Sequence, residues 1–205
     1  MKISNVNVIR PRFFNEALYR TGIEEFSTVF ENITASRIQN YFEANGRESD
    51  KSISRFVNGL IIEELLALDW EKNWSFCPDV RSNHATFEAS KKFQGGRKQL
   101  RFAMDVASRH SNEALGYLLK GQIATKSEDP RKFEVNCHLL ISFTQELLSA
   151  GRWDTGVISY EKIVQNLPLL DGAITTPIYL FGIGSPAGLE VSKTMAGTLR
   201  VLANK

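Results

Sequence analysis

The chain has 205 residues, of which 42% are hydrophobic and 23% charged, and its formal net charge is +2. That balance allows one full core in a single globular domain, and near-neutrality excludes a global pull toward nucleic acid, so any such binding must use a local patch. No apolar run approaches the roughly 18 residues of a membrane span, and the opening MKISNVNVIRPRFF lacks the apolar core of a signal peptide, which points to a cytoplasmic protein without a membrane partner.

In chain order, Ile3 to Ile9 alternates apolar and polar residues and predicts a short strand ended by Pro11. Asn15 to Phe30 carries Leu18, Ile23, Phe26, Val29 and Phe30 at helical spacing, and Thr34 to Ala44 predicts a second helix closed by Asn45-Gly46. A polar lead-in with Lys51 and Arg55 opens the strongest helix pattern, about Ile53 to Leu68. Trp70 and Trp74 mark a turn into the apolar piece Trp74 to Cys77, stopped by Pro78. Pro78 to Gln99 is the least regular part and holds the most concentrated basic run: Arg81, Lys91, Lys92, Arg97 and Lys98 around Gly95-Gly96. It reads as a solvated loop or as a loop that contacts phosphates.

Gln99 to Ala107 predicts a strand with Asp105 near its end, Ser111 to Ile123 a helix, and Thr125 to Arg131 a charged turn. From Arg131 to Pro186 the pattern is strand (Lys132 to Asn136), helix (Leu139 to Ala150), strand (Thr155 to Tyr160), short helix (Glu161 to Leu167) and apolar strand (Pro177 to Gly184). Such alternation is the signature of a sheet with crossover helices, hence an α/β fold. The chain divides into a helical part, about 1–75, a sheet part, about 76–186, and a tail, 187–205, which is a strand-and-helix cap or an arm.

Glu134 breaks an apolar strand, and burying a carboxylate is costly unless it is paired or bound to a cation. Glu134 is therefore at a strand end, paired with a base, or a metal ligand. If its strand pairs with that of Asp105, both acids enter one corner, and two carboxylates there need a cation; magnesium is commonly held by one or two carboxylates plus waters and phosphate. Salt bridges or strand ends explain the same two acids. No Gly-rich phosphate loop occurs, and His84, His110 and His138 lie far apart without ligand spacing. Cys77 and Cys137 read as small core residues of a reduced protein. Cys137 and His138 form no nucleophile pair, because neighbours on a strand point to opposite faces.

Phe133-Glu134-Val135-Asn136 before a helix, then Trp153-Asp154-Thr155-Gly156-Val157-Ile158, then Pro177 to Pro186, resemble in order the C-terminal half of the BglII/BstYI/BamHI group of type II restriction endonucleases. Phe56 to Leu60 with Leu68-Asp69-Trp70 is similar to a helix of that group. The resemblance implies a PD-(D/E)XK-type fold, a central mixed β-sheet flanked by helices, in a homodimer that cuts palindromic double-stranded DNA with Mg2+. It places Glu134 on the second metal-binding carboxylate and Asn136 where the motif usually has lysine. Asp105, on the preceding strand, is the choice for the first carboxylate. Asp129 competes with it, as does Pro78-Asp79 with Glu88 and Lys91 downstream. Under this reading Asp105 and Glu134 hold the metal and Asn136 positions the attacking water. Lys51, Arg55, Arg81, Lys91, Lys92, Arg97 and Lys98 contact phosphates. The Ile53 to Leu68 or Leu139 to Ala150 helix supplies the dimer surface. The alternative is a non-catalytic DNA-binding or assembly protein on a related scaffold.

Overall fold

The computed structural model describes residues 1–77, 85–108, 114–125, 134–153, 156–170, 172–195 and 197–204. Strand β1 (Lys2–Ile9) leads into helices α1 (Ala17–Asn32), α2 (Ala35–Asn45) and α3 (Ser54–Ala67). A meander follows, β2 (Glu71–Ser75), β3 (Thr86–Gly95) and β4 (Lys98–Val106). Helix α4 (Ala114–Thr125) then leads to β5 (Cys137–Phe143), and the short α5 (Gln145–Ala150) and α6 (Tyr160–Asn166) lead to β6 (Ile178–Gly184). Strands β7 (Leu189–Lys193) and β8 (Leu199–Ala203) form a separate hairpin.

The six-stranded sheet runs β1-β6-β5-β4-β3-β2. Its central strands β4, β5 and β6 are parallel, and its outer pairs are antiparallel. The fold is α/β, a mixed sheet flanked by helices. On one face α1 and α3 pack Phe26, Phe30, Phe56 and Leu60 against Phe102, Phe143 and Phe181. On the other, α4 and α6 bring Leu118 and Ile163 onto Leu140, Ile178 and Leu180. No described helix is long and apolar enough to cross a membrane.

Four expected elements differ, each for a local reason. The predicted helix over Leu139 to Ala150 is two elements. All seven residues of β5 are buried, because a parallel strand at the centre of a sheet is covered on both faces and so reads as an unbroken apolar run. Such a run cannot be told from a buried helix by periodicity. Only Gln145–Ala150 is helical, started by Thr144, whose hydroxyl accepts the Leu147 N–H at 3.3 Å.

Of the expected loop Pro78 to Gln99, residues 78–84 lie outside the described residues, and Thr86–Gly95 is strand β3, with Phe87, Ala89, Ser90 and Phe93 buried among its charges. The expected strand Lys132 to Asn136 lies partly outside the described residues, and Glu134 to Asn136 precede the strand that begins at Cys137. Between Gly156 and Ser159 there is a single bridge at Val157 rather than a strand. Ser159 instead caps α6 by accepting the Lys162 N–H at 3.4 Å. The C-terminal tail joins the core through Leu199 and Val201, and Gln39 of α2 accepts the Ala203 N–H at 2.8 Å.

Candidate active site

Side chains alternate along β4. Leu100, Phe102, Met104 and Val106 face α1 and α3, so Asp105 faces the opposite side, toward α4. It is 2% exposed. Helix α4 supplies the partner: Lys120 Nζ donates to Asp105 Oδ1 at 2.8 Å, and both side chains are at least nine-tenths buried. Burying such a pair is costly, and removing either partner costs more than the pair is worth, because a lone charge is left behind. His138, on β5, completes the cluster. Its Nε2 lies 3.5 Å from Asp105 Oδ2, and its ring is wholly buried beside Phe87, centroids 5.3 Å apart. The Lys120 ammonium lies 4.6 Å from the centre of that Phe87 ring, a cation–π contact.

Three polar atoms in this cluster have no hydrogen-bond partner among the described residues: Asp105 Oδ2, His138 Nδ1 and His138 Nε2. Glu88 lies on the adjacent strand β3. The β3–β4 ladder ends with Ala89 opposite Met104, and the next residues on the two strands are Glu88 and Asp105.

The position of α4 over this cluster has visible causes. At Gly121 an added Cβ would stand 2.6 Å from His138 Nδ1, so only glycine lets the helix backbone come this close. At the next residue, Gln122 Oε1 accepts the N–H groups of Thr175 at 2.7 Å and Thr176 at 3.0 Å, tying α4 to the segment entering β6. Gln122→Ala leaves two backbone donors without that acceptor. Urea unfolding should show a loss of roughly 1–3 kcal/mol.

The other predicted site residues lie elsewhere. Asn136 is a strand-entry residue. Its Oδ1 accepts the Arg101 N–H at 2.7 Å, its own N–H donates to Arg101 O at 2.9 Å, and its Nδ2 donates to Glu134 Oε1 at 3.1 Å. Asp105 stands four residues beyond Arg101, about 13 Å further at a strand's rise. The structure therefore does not bring Glu134 or Asn136 to Asp105, and the exposed Glu134 needs no cation. The reason is the long α4 crossover, which enters β5 at the far end of β4.

Among the predicted phosphate contacts, Lys91 is committed to the fold: its ammonium donates to both oxygens of Glu25 at 2.8 and 2.9 Å and to Leu68 O at 2.6 Å. Arg55 pairs with Asp50 at 2.6 Å and covers Phe56, and Lys98 pairs with Glu16. Lys92 and Arg97 are exposed, but Arg97 is in the β3–β4 turn, on the order of 23 Å along the strand from Asp105, and Lys92 pairs with Arg101 in the ladder, about 13 Å from it. Lys51 is exposed just before α3, where the Ile53 N–H donates to Gly151 O. That junction adjoins Trp153, which packs on Phe143 at the C-terminal end of β5. Lys51 thus lies at the same end of the sheet as Asp105. Arg81, Asp79 and Asp129 lie outside the described residues. Burial pushes the Cys137 thiol well above its ordinary value, so it is an inert core group.

Lys120 was not singled out by sequence reasoning, and His138 was named only to be set aside as a ligand and as a nucleophile's partner. Lys120 left a usable signal, since it is the one charge in Ala-Leu-Gly-Tyr-Leu-Leu-Lys-Gly-Gln-Ile-Ala-Thr. His138 left none, because a histidine inside an apolar run reads as core.

No family model matches the sequence, and no curated protein matches it. Solved structures do match by fold. The chain is similar to the restriction endonuclease BglII complexed with a DNA 16-mer, with a TM-score of 0.60 at 12% identity over 97% of this chain and 100% of that one. It is also similar to free BglII, with a TM-score of 0.50 at 14% identity over 96% of this chain and 90% of that one. The chain has a BglII-like endonuclease fold. In that frame β4, α4 and β5 are the elements that gather Asp105, Lys120 and His138.

Proposed function

We propose that this protein is a magnesium-dependent endonuclease that hydrolyses double-stranded DNA at specific sites and works as a homodimer. The observation that carries the reading is the buried Asp105–Lys120 pair, 2.8 Å apart, on a BglII-like scaffold. It lies toward the C-terminal end of a central parallel strand, where open α/β sheets bind their ligands.

The residues present suit the metal. Oδ1 of Asp105 is taken by Lys120, while Oδ2 has no hydrogen-bond partner among the described residues. Carboxylate oxygens suit Mg2+, which needs only one or two of them beside waters and phosphate. The described residues contain no group of three His, Cys, Asp or Glu side chains placed for a metal, so Asp105 would hold the ion with waters and phosphate completing its shell. When bound, the metal would activate a water and offset charge developing on the scissile phosphate. Lys120 orients Asp105 through Oδ1 and adds a fixed positive charge in a site where little water screens it. Lys51 lies at the same end of the sheet, on its α3 side.

This assignment moves the chemistry away from Glu134 and Asn136. Glu134→Ala should cleave DNA within roughly twofold of the wild type, as expected for a surface change of about ±0.5 kcal/mol. A large loss of activity in that variant would restore Glu134 to the site. The homodimer needs an apolar surface. Leu139 to Phe143 cannot supply one because it is the buried β5, and α3 turns most of its apolar residues into the core. Helix α4 exposes Leu115, Leu119 and Ile123, and sedimentation velocity should report twice the chain mass.

The deciding experiment is incubation of plasmid and phage DNA with the protein in magnesium or in EDTA. Discrete fragments with magnesium alone are expected. Intact DNA in both would overturn the endonuclease reading. A mobility shift whose midpoint moves strongly with salt would then identify a non-catalytic DNA-binding protein, since phosphate contacts release counterions.

A further inference from the structure

His138 plays no part in the reading above, yet among the described residues it is a buried side chain with both polar atoms unpartnered. Its ring is 0% exposed, and neither nitrogen has a hydrogen-bond partner among the described residues. Nearly all buried polar groups in folded proteins have one, so an orphan requires an explanation. Nε2 lies 3.5 Å from Asp105 Oδ2, an equally buried and unpartnered atom, without forming a hydrogen bond to it. Two donor atoms bound to one first-row cation at about 2.1 Å each stand on the order of 3–3.5 Å apart. The separation therefore suits two ligands of one ion.

We infer that His138 Nε2 and Asp105 Oδ2 are joint ligands of a divalent first-row transition metal ion, and that this site prefers manganese or cobalt to magnesium. An imidazole nitrogen is a softer donor than water or carboxylate, so it favours the later ions over Mg2+. Lys120 stays on Oδ1 and does not occupy the oxygen that faces His138. The backbone at Gly121 closes over the Nδ1 side of the ring, leaving Nε2 as the nitrogen turned to Asp105. The inference deepens the metal assignment of the proposed endonuclease site, but it stands on the two orphaned atoms and is tested without DNA.

Cobalt(II) is titrated into the full-length protein and followed by its visible absorption. One equivalent should develop bands that excess Mn2+ removes and equal Mg2+ does not. In His138→Gln the cobalt affinity should fall at least tenfold and the bands should shift, since an amide oxygen replaces nitrogen. Thermal melting of the same variant reports whether it is folded. An electron spin-echo measurement on the wild type with one equivalent of Mn2+ needs no variant at all, and imidazole nitrogen modulation is expected. Absence of cobalt binding, an unchanged spectrum in folded His138→Gln, or no nitrogen modulation would each overturn the inference. DNA that stays intact in a protein that binds cobalt as described would instead count against the endonuclease reading alone.

Discussion

Asp105→Asn should lower magnesium-dependent cleavage by at least the 10²–10³-fold, in order of magnitude, that follows loss of one preorganised electrostatic group in an active site. The same position governs stability through Lys120. Asp105→Ala leaves the Lys120 ammonium almost fully buried without its carboxylate. Breaking a buried pair from one side costs about 3–5 kcal/mol. Lys120→Met removes the other charge and strands Asp105 in the same way. The double variant Asp105→Ala/Lys120→Met removes both charges and should be clearly more stable than the sum of the single losses predicts, while remaining inactive. A double-mutant cycle from urea unfolding measures this directly. Simple additivity would mean that the two groups do not act as a pair.

Phe102→Ala is the second large effect, and it concerns the sheet face opposite the site. Phe102 is fully buried on β4, with ring centroids 5.0 Å from Phe93 and 5.7 Å from Tyr19. Helix α1 rests on it at Gly22, where an added Cβ would lie 2.7 Å from the ring. Truncation should cost roughly 3–5 kcal/mol, since the cavity is walled by a sheet and a helix that cannot both collapse into it. That is a large share of the 5–15 kcal/mol or so typical of a domain. Urea unfolding checks it. A loss below about 1 kcal/mol would show that α1 does collapse onto the shortened side chain.

The two predictions sit three residues apart on one strand, on opposite faces, for one reason. Alternation along β4 sends Phe102 and Met104 to the helical core and Asp105 to the side covered by α4. The catalytic proposal and the stability of the fold therefore share a strand, and a one-residue slip of its register would exchange the two faces.

Local pattern was enough to find α1, α2, α3 and β6, because amphipathic spacing and capping residues such as Thr34 act within a few residues of chain. It also singled out Asp105 as an acid in an apolar strand. Pattern was misleading at β5, where burial on both faces erases periodicity, and at β3, where Glu88, Lys91, Lys92 and Gln94 outweigh the buried Phe87 and Phe93. Glu134 drew attention for the same reason as Asp105, an acid beside apolar residues, but it precedes the strand rather than lying in it.

By itself the sequence determined the α/β class and the long helices, since these follow from local periodicity, and it named Asp105 as an acid near the end of a strand. Only the tertiary structure decided what stands next to that acid. Lys120 is fifteen residues from Asp105 along the chain, and His138 lies on the next parallel strand. Their approach depends on how the α4 crossover packs on the sheet, a long-range choice made by Gly121, Gln122 and the core beneath them and not by any local pattern.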